Sequence, residues 1–298
     1  MEESRPQVSR RRVMETTVVD VVMETHDTAT IVMATKEDVR GAYKAGQFIT
    51  IDPHQFLALG NAIAYLETEK GSKEPPRAYS LASTPTETTL ATTVKVEPYV
   101  PGQTKYPPLL SPYLAHGVAK GQKITVSGFS GAYCFDETLK DHCDHVIHVS
   151  AGSGIVPNYA MIKWALEAGL PVKHTLVYGN KTWDDVIYRA QFDALVERFP
   201  DRLRVIHALS READLTKFTN GGKRDVRGGR IGEALLREVI EDKDAVLVYT
   251  CGPAITKWEK VKARAEGKEA TPRFLETVLA SLDAIGLAKE RLHKEAYG

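Results

Sequence analysis

Two hydrophobic rhythms follow one another along this chain, and each calls for a different kind of sheet. Up to about residue 126 the apolar residues fall in short β-type runs, at 17–22, 28–34, 47–51, 79–82, 89–96 and 123–126. Several are bounded by Gly, Pro or Asp clusters, the signature of an antiparallel barrel or sandwich. After about residue 139, strand-type runs at 146–150, 172–178, 203–208 and 245–250 alternate with helix-type periodicity at 158–168, 189–198 and 232–240. A last helix over 272–285 carries Phe274, Val278, Leu282 and Ile285 on one face. That alternation predicts βαβ units and a parallel sheet. The 298 residues suffice for two domains, at roughly 150 residues each. The reading is a flexible tail over 1–12, an antiparallel β-barrel domain over 13–139 and an α/β parallel-sheet domain over 140–298, with the boundary near 135–143. Two long interruptions fall in the first half: 52–76, with a weakly helical middle over 57–69, and a Pro/Gly-rich loop over 98–112. The pattern assigns no role to 52–76.

Within the first half, Arg77-Ala78-Tyr79-Ser80-Leu81-Ala82-Ser83 packs three kinds of chemistry into a few residues. Strand alternation puts Arg77, Tyr79 and Leu81 on one face, and Ala78, Ser80 and Ala82 on the other. A guanidinium pairs bidentately with phosphate oxygens. A phenol offers a flat face with a polar tip. A hydroxyl can donate to or accept from a ring nitrogen. A flavin nucleotide has all three complementary features.

In the second half, Gly152-Ser153-Gly154-Ile155-Val156-Pro157 follows a predicted strand and opens a predicted helix. Glycines let the backbone approach a diphosphate, and the helix N-terminus supplies unpaired N–H groups and a favourable dipole. Pro157 suits a first helical turn, where its missing N–H costs nothing. Pro157 also stands where the common dinucleotide fingerprint has its third glycine, and no carboxylate ends the second strand, which runs into Tyr178-Gly179-Asn180. After the third strand, Ser210-Arg211 offers a hydroxyl and a guanidinium to a 2′-phosphate.

Composition removes several classes of function. Lys+Arg and Asp+Glu both number 39, so the charge balance carries no footprint for nucleic acid or a membrane surface. No apolar run approaches 18 residues and no apolar leader is visible, so neither a membrane span nor a secretory signal is expected. The three cysteines, Cys134, Cys143 and Cys251, are too few for a disulfide framework or a four-thiolate iron–sulfur site. No metal site is expected, and the expected compartment is the cytoplasm.

Taken in order, these motifs resemble the ferredoxin–NADP+ reductase superfamily over about residues 13–298. Arg77-x-Tyr79-Ser80 is similar to its flavin motif, and Gly152 to Pro157 to its pyridine-nucleotide loop. Val177-Tyr178-Gly179-Asn180-Lys181-Thr182, with Asp185 and Arg189 downstream, is similar to the segment after its second strand, and Cys251-Gly252-Pro253 to its Cys-Gly-Pro signature. Glu295-Ala296-Tyr297 resembles the acidic-x-aromatic end of its plant-type members. The resemblance implies FAD and NAD(P)H as cofactors, with NADPH slightly favoured over NADH. It implies that Arg77, Tyr79, Ser80, Leu81, Val94, Lys95 and Ser111 contact the flavin nucleotide. Gly152, Ser153, Gly154, Pro157, Tyr178, Asn180, Ser210, Arg211, Cys251, Gly252 and Pro253 would contact the pyridine nucleotide. Ser80, Cys251, Glu295 and Tyr297 would surround the reacting rings. The implied activity is a flavoprotein reductase that takes hydride from NAD(P)H and passes single electrons to a separate ferredoxin or oxygenase component. A free-flavin reductase and a non-catalytic electron-transfer subunit are the alternatives. A local excess of Lys and Arg over 257–294 is the expected docking surface for an acidic partner.

Overall fold

The structure, a computed structural model, describes residues 12–101 and 104–297. The tail expected over 1–12 lies outside the described residues except for Arg12, which opens the first strand. The first half builds β1 (Arg12–Thr25), β2 (Thr28–Thr35), β3 (Phe48–Ile51), α1 (Gly60–Lys70), β4 (Arg77–Ser80), β5 (Leu90–Lys95), α2 (Leu110–His116) and β6 (Lys123–Ser130). Its strands form one antiparallel sheet in the order β4-β3-β6-β1-β2-β5. Burial follows the pleat: Ile124 and Val126 point inward, Lys123 and Thr125 outward. Met14, Val18, Ile31, Ile49, Ile51 and Leu90 share one core, which α2 covers with Leu110 and Leu114.

The six strands form the antiparallel sheet that the pattern predicts, and no full ladder closes it. Among the described residues, its outer strands β4 and β5 meet at the Leu81↔Thr92 bridge, where the Ala82 N–H donates to the Ala91 carbonyl at 2.7 Å. β4 has four residues, and the chain then turns away through Ser83-Thr84-Pro85, leaving no length for a ladder.

The second half builds β7 (His145–Ala151), α3 (Ile155–Glu167), β8 (Lys173–Asn180), α4 (Arg189–Arg198), β9 (Leu203–Leu209), β10 (Asp225–Gly228), α5 (Glu233–Val239), β11 (Val246–Pro253), α6 (Lys257–Ala265), α7 (Phe274–Ile285) and β12 (Leu292–Tyr297). The sheet is parallel throughout, in the order β10-β9-β8-β7-β11-β12. Its central strands are buried on both faces, which is why they read as apolar runs. Ile147, Val149, Val177 and Val248 pack against α5 and α7 through Leu236, Val278 and Leu282. On the other face, Val146 packs with Met161 and Trp164 of α3. β10, α6 and β12 have no counterpart among the predicted elements. Both strands are edges rich in charge, and register, not periodicity, makes them strands.

Side chains from both halves tie the two sheets together. Thr30 Oγ1 lies 2.7 Å from Thr93 Oγ1, which also hydrogen-bonds the Tyr188 hydroxyl. Tyr188 is held in the left-handed region, φ 62°, and stacks on Tyr159 with 4.1 Å between ring centroids. Lys163 of α3 pairs with Glu87 of the antiparallel half.

A polar chain runs beneath the parallel sheet. The Tyr133 hydroxyl donates to Asn158 Oδ1 at 2.9 Å, His148 Nδ1 lies 3.3 Å from the same oxygen, and His148 Nε2 lies 3.1 Å from His174 Nδ1. Burial pushes His148 down to about 3 and His207 down to about 4. Both are therefore neutral when folded and can bind a proton once unfolded below about pH 6.5. Each of these two histidines should lower stability by about 2 kcal/mol at about pH 5 relative to pH 7. Urea midpoints of wild type and His207→Gln, compared between about pH 7 and pH 5, test this. A difference independent of pH contradicts a neutral buried imidazole.

Candidate functional site

Three segments converge where the two sheets meet: β4, the turn from β7 into α3, and the paired ends of β11 and β12. On β4, Tyr79 and Leu81 pack into the antiparallel core, and Arg77 is exposed, its Nη2 donating to Glu74 Oε2 at 2.8 Å. Ser80 faces the opposite way and is buried, its Oγ accepting from the Tyr297 hydroxyl. The second face is thus covered at its far end by the parallel-sheet half, where Ala82 joins the cluster of Tyr178 and Tyr188, while Ala78 stays exposed.

The parallel register places Cys251 opposite Ser150 on one side and Glu295 on the other, and Pro253 opposite Tyr297. Gly152, Ser153 and Gly154 form a single 3-10 turn leading into α3, with Pro157 buried in the helix's first turn. A Cβ on Gly154 would sit 2.2 Å from the Cys251 carbonyl oxygen, and one on Gly252 would sit 2.4 Å from the Phe274 ring. No side chain fits at either position, so the turn presses directly on the Cys251-Gly252 backbone. Gly152 differs: its φ is 53°, and the space beside it is open. Its carbonyl accepts from the Tyr178 hydroxyl at 3.0 Å.

That open space belongs to a crevice of about 470 Å³ at the carboxyl ends of the parallel strands. Lys95, Gly152, Asn180, Ser210, Arg211 and Pro253 line it, together with Lys181, Arg230, Arg273 and Phe274. Open α/β sheets bind ligands at this end. Asn180 is 9% exposed, and neither atom of its amide has a hydrogen-bond partner, which leaves both free for a polar ligand. A dinucleotide fits this donor set: glycine backbone for a diphosphate, an amide for ring or sugar, and cations at the mouth.

The electrostatics of the seam are those of a dry site. Burial raises the Glu295 carboxyl to about 7, and its Oε2 has no hydrogen-bond partner. The Cys251 thiol is pushed well above its usual range by burial and then by the Glu295 charge. Cys251 is therefore a neutral thiol, a small polarizable contact and not a nucleophile.

The other expected residues are placed less centrally. The Val94 side chain is 1% exposed in the antiparallel core, so only its backbone could face a ligand. Lys95 is held by both Asp27 carboxylate oxygens, at 2.8 and 2.7 Å. Ser111 lies half-buried in the first turn of α2. The sequence reading gave Lys181 no contact and missed Arg230, Arg273 and Phe274. For Arg230 a signal existed, a cation directly after Gly228-Gly229; for Arg273 and Phe274 only the return of α7 to the sheet reveals it.

Comparison with known proteins agrees with this layout. Residues 149–257 match the oxidoreductase NAD-binding domain family. The ferredoxin reductase component of 3-ketosteroid-9-alpha-monooxygenase from Rhodococcus rhodochrous is 28% identical over 94% of this chain and 64% of its own length. Its Mycolicibacterium smegmatis counterpart is 33% identical over 66% of this chain and 50% of its own length. The chain thus spans only about half to two thirds of the length of these two relatives. Among solved structures, the cytochrome b5 reductase domain of Ulva prolifera nitrate reductase superposes with a TM-score of 0.69 at 18% identity, covering 95% of this chain and 97% of that one. The FAD/NAD-binding domain of Vibrio cholerae nitric oxide dioxygenase gives 0.67 at 21%, covering 97% and 100%.

The raised Glu295 carboxyl has a consequence for stability. The folded chain keeps its proton up to about pH 7, whereas the unfolded chain releases it near 4.5. The Glu295 contribution to stability should therefore decline as pH rises through that window, opposite in sign to that of the buried histidines, and Glu295→Gln should remove it. The melting temperature of Glu295→Gln should exceed that of wild type by a margin that grows from about pH 4.5 and levels off above about pH 7. A margin independent of pH would mean that Glu295 ionises normally.

Proposed function

We propose that this chain, whose fold and motifs resemble the ferredoxin–NADP+ reductase superfamily, is an NAD(P)H-dependent flavin reductase serving a separate ferredoxin or oxygenase component. The observation that carries this reading is the seam itself, where Ser80 of the flavin-type strand touches Tyr297, whose own strand sets Glu295 beside Cys251. A bound FAD would supply the chemistry, accepting a hydride from the nicotinamide and releasing electrons singly.

This chain's residues bind, orient and exclude water. Arg77 would pair with a flavin phosphate, Tyr79 would present its ring to the flavin, and Ser80 would hydrogen-bond a ring nitrogen. Tyr297 covers Ser80 and would shield that position from solvent. Gly152 and the first turn of α3 would hold the pyridine-nucleotide diphosphate. Cys251 and Gly252 are buried against Gly154 and Phe274 and so fix the strand end beside which a nicotinamide could lie. Glu295, protonated below about 7, can hold a proton at the seam. Lys181, Arg211 and Arg230 at the mouth suit the charge of a 2′-phosphate, which favours NADPH over NADH. The electron acceptor is read from the Rhodococcus relative, itself a ferredoxin reductase component. α6 and the turn after it expose Lys257, Lys260, Lys262, Arg264 and Lys268, a surface fitted to an acidic partner.

The purified protein should be yellow, and NADPH should bleach it anaerobically faster than NADH. Cys251→Ser should slow that bleaching in stopped flow while leaving the flavin content nearly unchanged. Protein that stays colourless and takes up neither FAD nor FMN would overturn the reading.

Electron transfer to an acidic ferredoxin should slow with added salt, because the Debye length shrinks from about 10 Å at 0.1 M to about 3 Å at 1 M. Reversing Lys257 and Lys260 to Glu should raise the KM for the ferredoxin and not for the nucleotide. Insensitivity to both changes would move the docking site elsewhere.

A further inference from the structure

The excursion over 52–76 has no place in the function described so far, yet it delivers a buried charge to the base of β4. Glu74 is 1% exposed, and its carboxylate lies between two cations. Oε1 pairs with Lys70 Nζ, and Oε2 accepts from Arg77 Nη2 at 2.8 Å. The backbone at this position is fixed as well. The Glu74 N–H donates to Glu67 Oε1 at 2.8 Å, and the same oxygen lies 2.9 Å from His54 Nε2. His54 Nδ1 lies 2.6 Å from Asp52 Oδ1, which closes the network back onto the end of β3. Lys70 also sits over the Tyr106 ring, 4.8 Å from its centroid, and so ties in the 98–112 loop. The start of the excursion, the last turns of α1 and the 98–112 loop are therefore tied to Glu74 through His54, Glu67 and Lys70.

Burying a carboxylate is costly unless it is paired and hydrogen-bonded. Here the pairing partners are partly exposed, Arg77 at 45% and Lys70 at 23% of their side chains. One fixed anion thus holds two cations at the surface, with its charge more than balanced. A guanidinium has five N–H donors, and Glu74 engages it through Nη2 alone in this contact, so an edge remains for a second oxygen ligand. An arginine held in one rotamer loses less side-chain entropy when it binds than one free in solvent.

We propose that Glu74 is a positioning residue for flavin binding: it orients Arg77 and Lys70 as a paired seat for the flavin phosphates. This rests on the flavin reading and adds to it the role of the 52–76 excursion. Glu74 touches no flavin atom; it acts through Arg77.

The test is FAD binding to the flavin-stripped full-length chain, followed by quenching of FAD fluorescence, for wild type, Glu74→Gln, Arg77→Ala and the double variant. Glu74→Gln should weaken FAD on the order of tenfold, a loss that should nearly vanish in the Arg77→Ala background. Lys70→Ala should give a smaller loss. A merely structural glutamate would weaken FAD equally in both backgrounds, and that result overturns the proposal, as does no loss at all. If Glu74→Gln does not fold, Glu74→Asp keeps the buried charge and withdraws it from the guanidinium; the same background dependence, or its absence, then decides. Tight FAD binding untouched by Arg77→Ala overturns this inference and leaves the flavin reading standing, whereas a wild-type chain that binds no flavin ends both.

Discussion

The parallel pairing of β12 with β11 is the contact on which the candidate site depends. It sets Glu295 opposite Cys251 and carries Tyr297 to Ser80, a residue 217 positions earlier in the chain. Without that edge strand Ser80 would lose the Tyr297 hydroxyl that covers it, and Cys251 its buried carboxyl neighbour. The pairing uses main-chain groups alone, so a segment as polar as Leu292–Tyr297 can serve as a strand. Its side chains are then free to be chosen for the seam. One of them is a carboxyl that burial drives to about 7, a state a solvated glutamate does not reach.

Around this edge the packing leaves almost no slack. Gly154 abuts the Cys251 carbonyl, Gly252 abuts Phe274, and Phe274 begins the helix whose Val278 and Leu282 fill the core beneath the sheet. The glycine turn is thus fixed from the side of the protein, and only Gly152 faces open space. The two kinds of glycine have different physical reasons. One admits a neighbouring backbone, and the other turns the chain through positive φ at the rim of the crevice. The bridge of Thr30, Thr93 and Tyr188 holds the antiparallel sheet against this unit, so the β4 motif stays in place relative to the strand ends.

Much of the architecture was legible because it is written in periodicity. The helix over 189–198 follows from its pattern alone, as do the four inner strands of the parallel sheet, whose two buried faces leave continuous apolar runs. The alternating strands of the first half follow from their inward-facing residues in the same way. Edge strands carry no such signature, so Asp225–Gly228 and Leu292–Tyr297 were not readable as strands. Within the site, the glycine turn and the β4 motif are contiguous in sequence and therefore visible. Arg273 and Phe274 reach the crevice only through the return of α7, and nothing local marks them.

By itself, then, the sequence determined the two kinds of sheet, the order of the motifs and the residue types available for phosphate and ring contacts, because short-range patterns encode these. Only the tertiary structure decided that Ser80 is covered by Tyr297, that Cys251 stays a neutral thiol beside an unpaired carboxyl, and that Glu74 is buried between Lys70 and Arg77. Each of these depends on what long-range packing removes from water. Burial changes both the charge state and the freedom of a side chain, and no window of neighbouring residues contains that information.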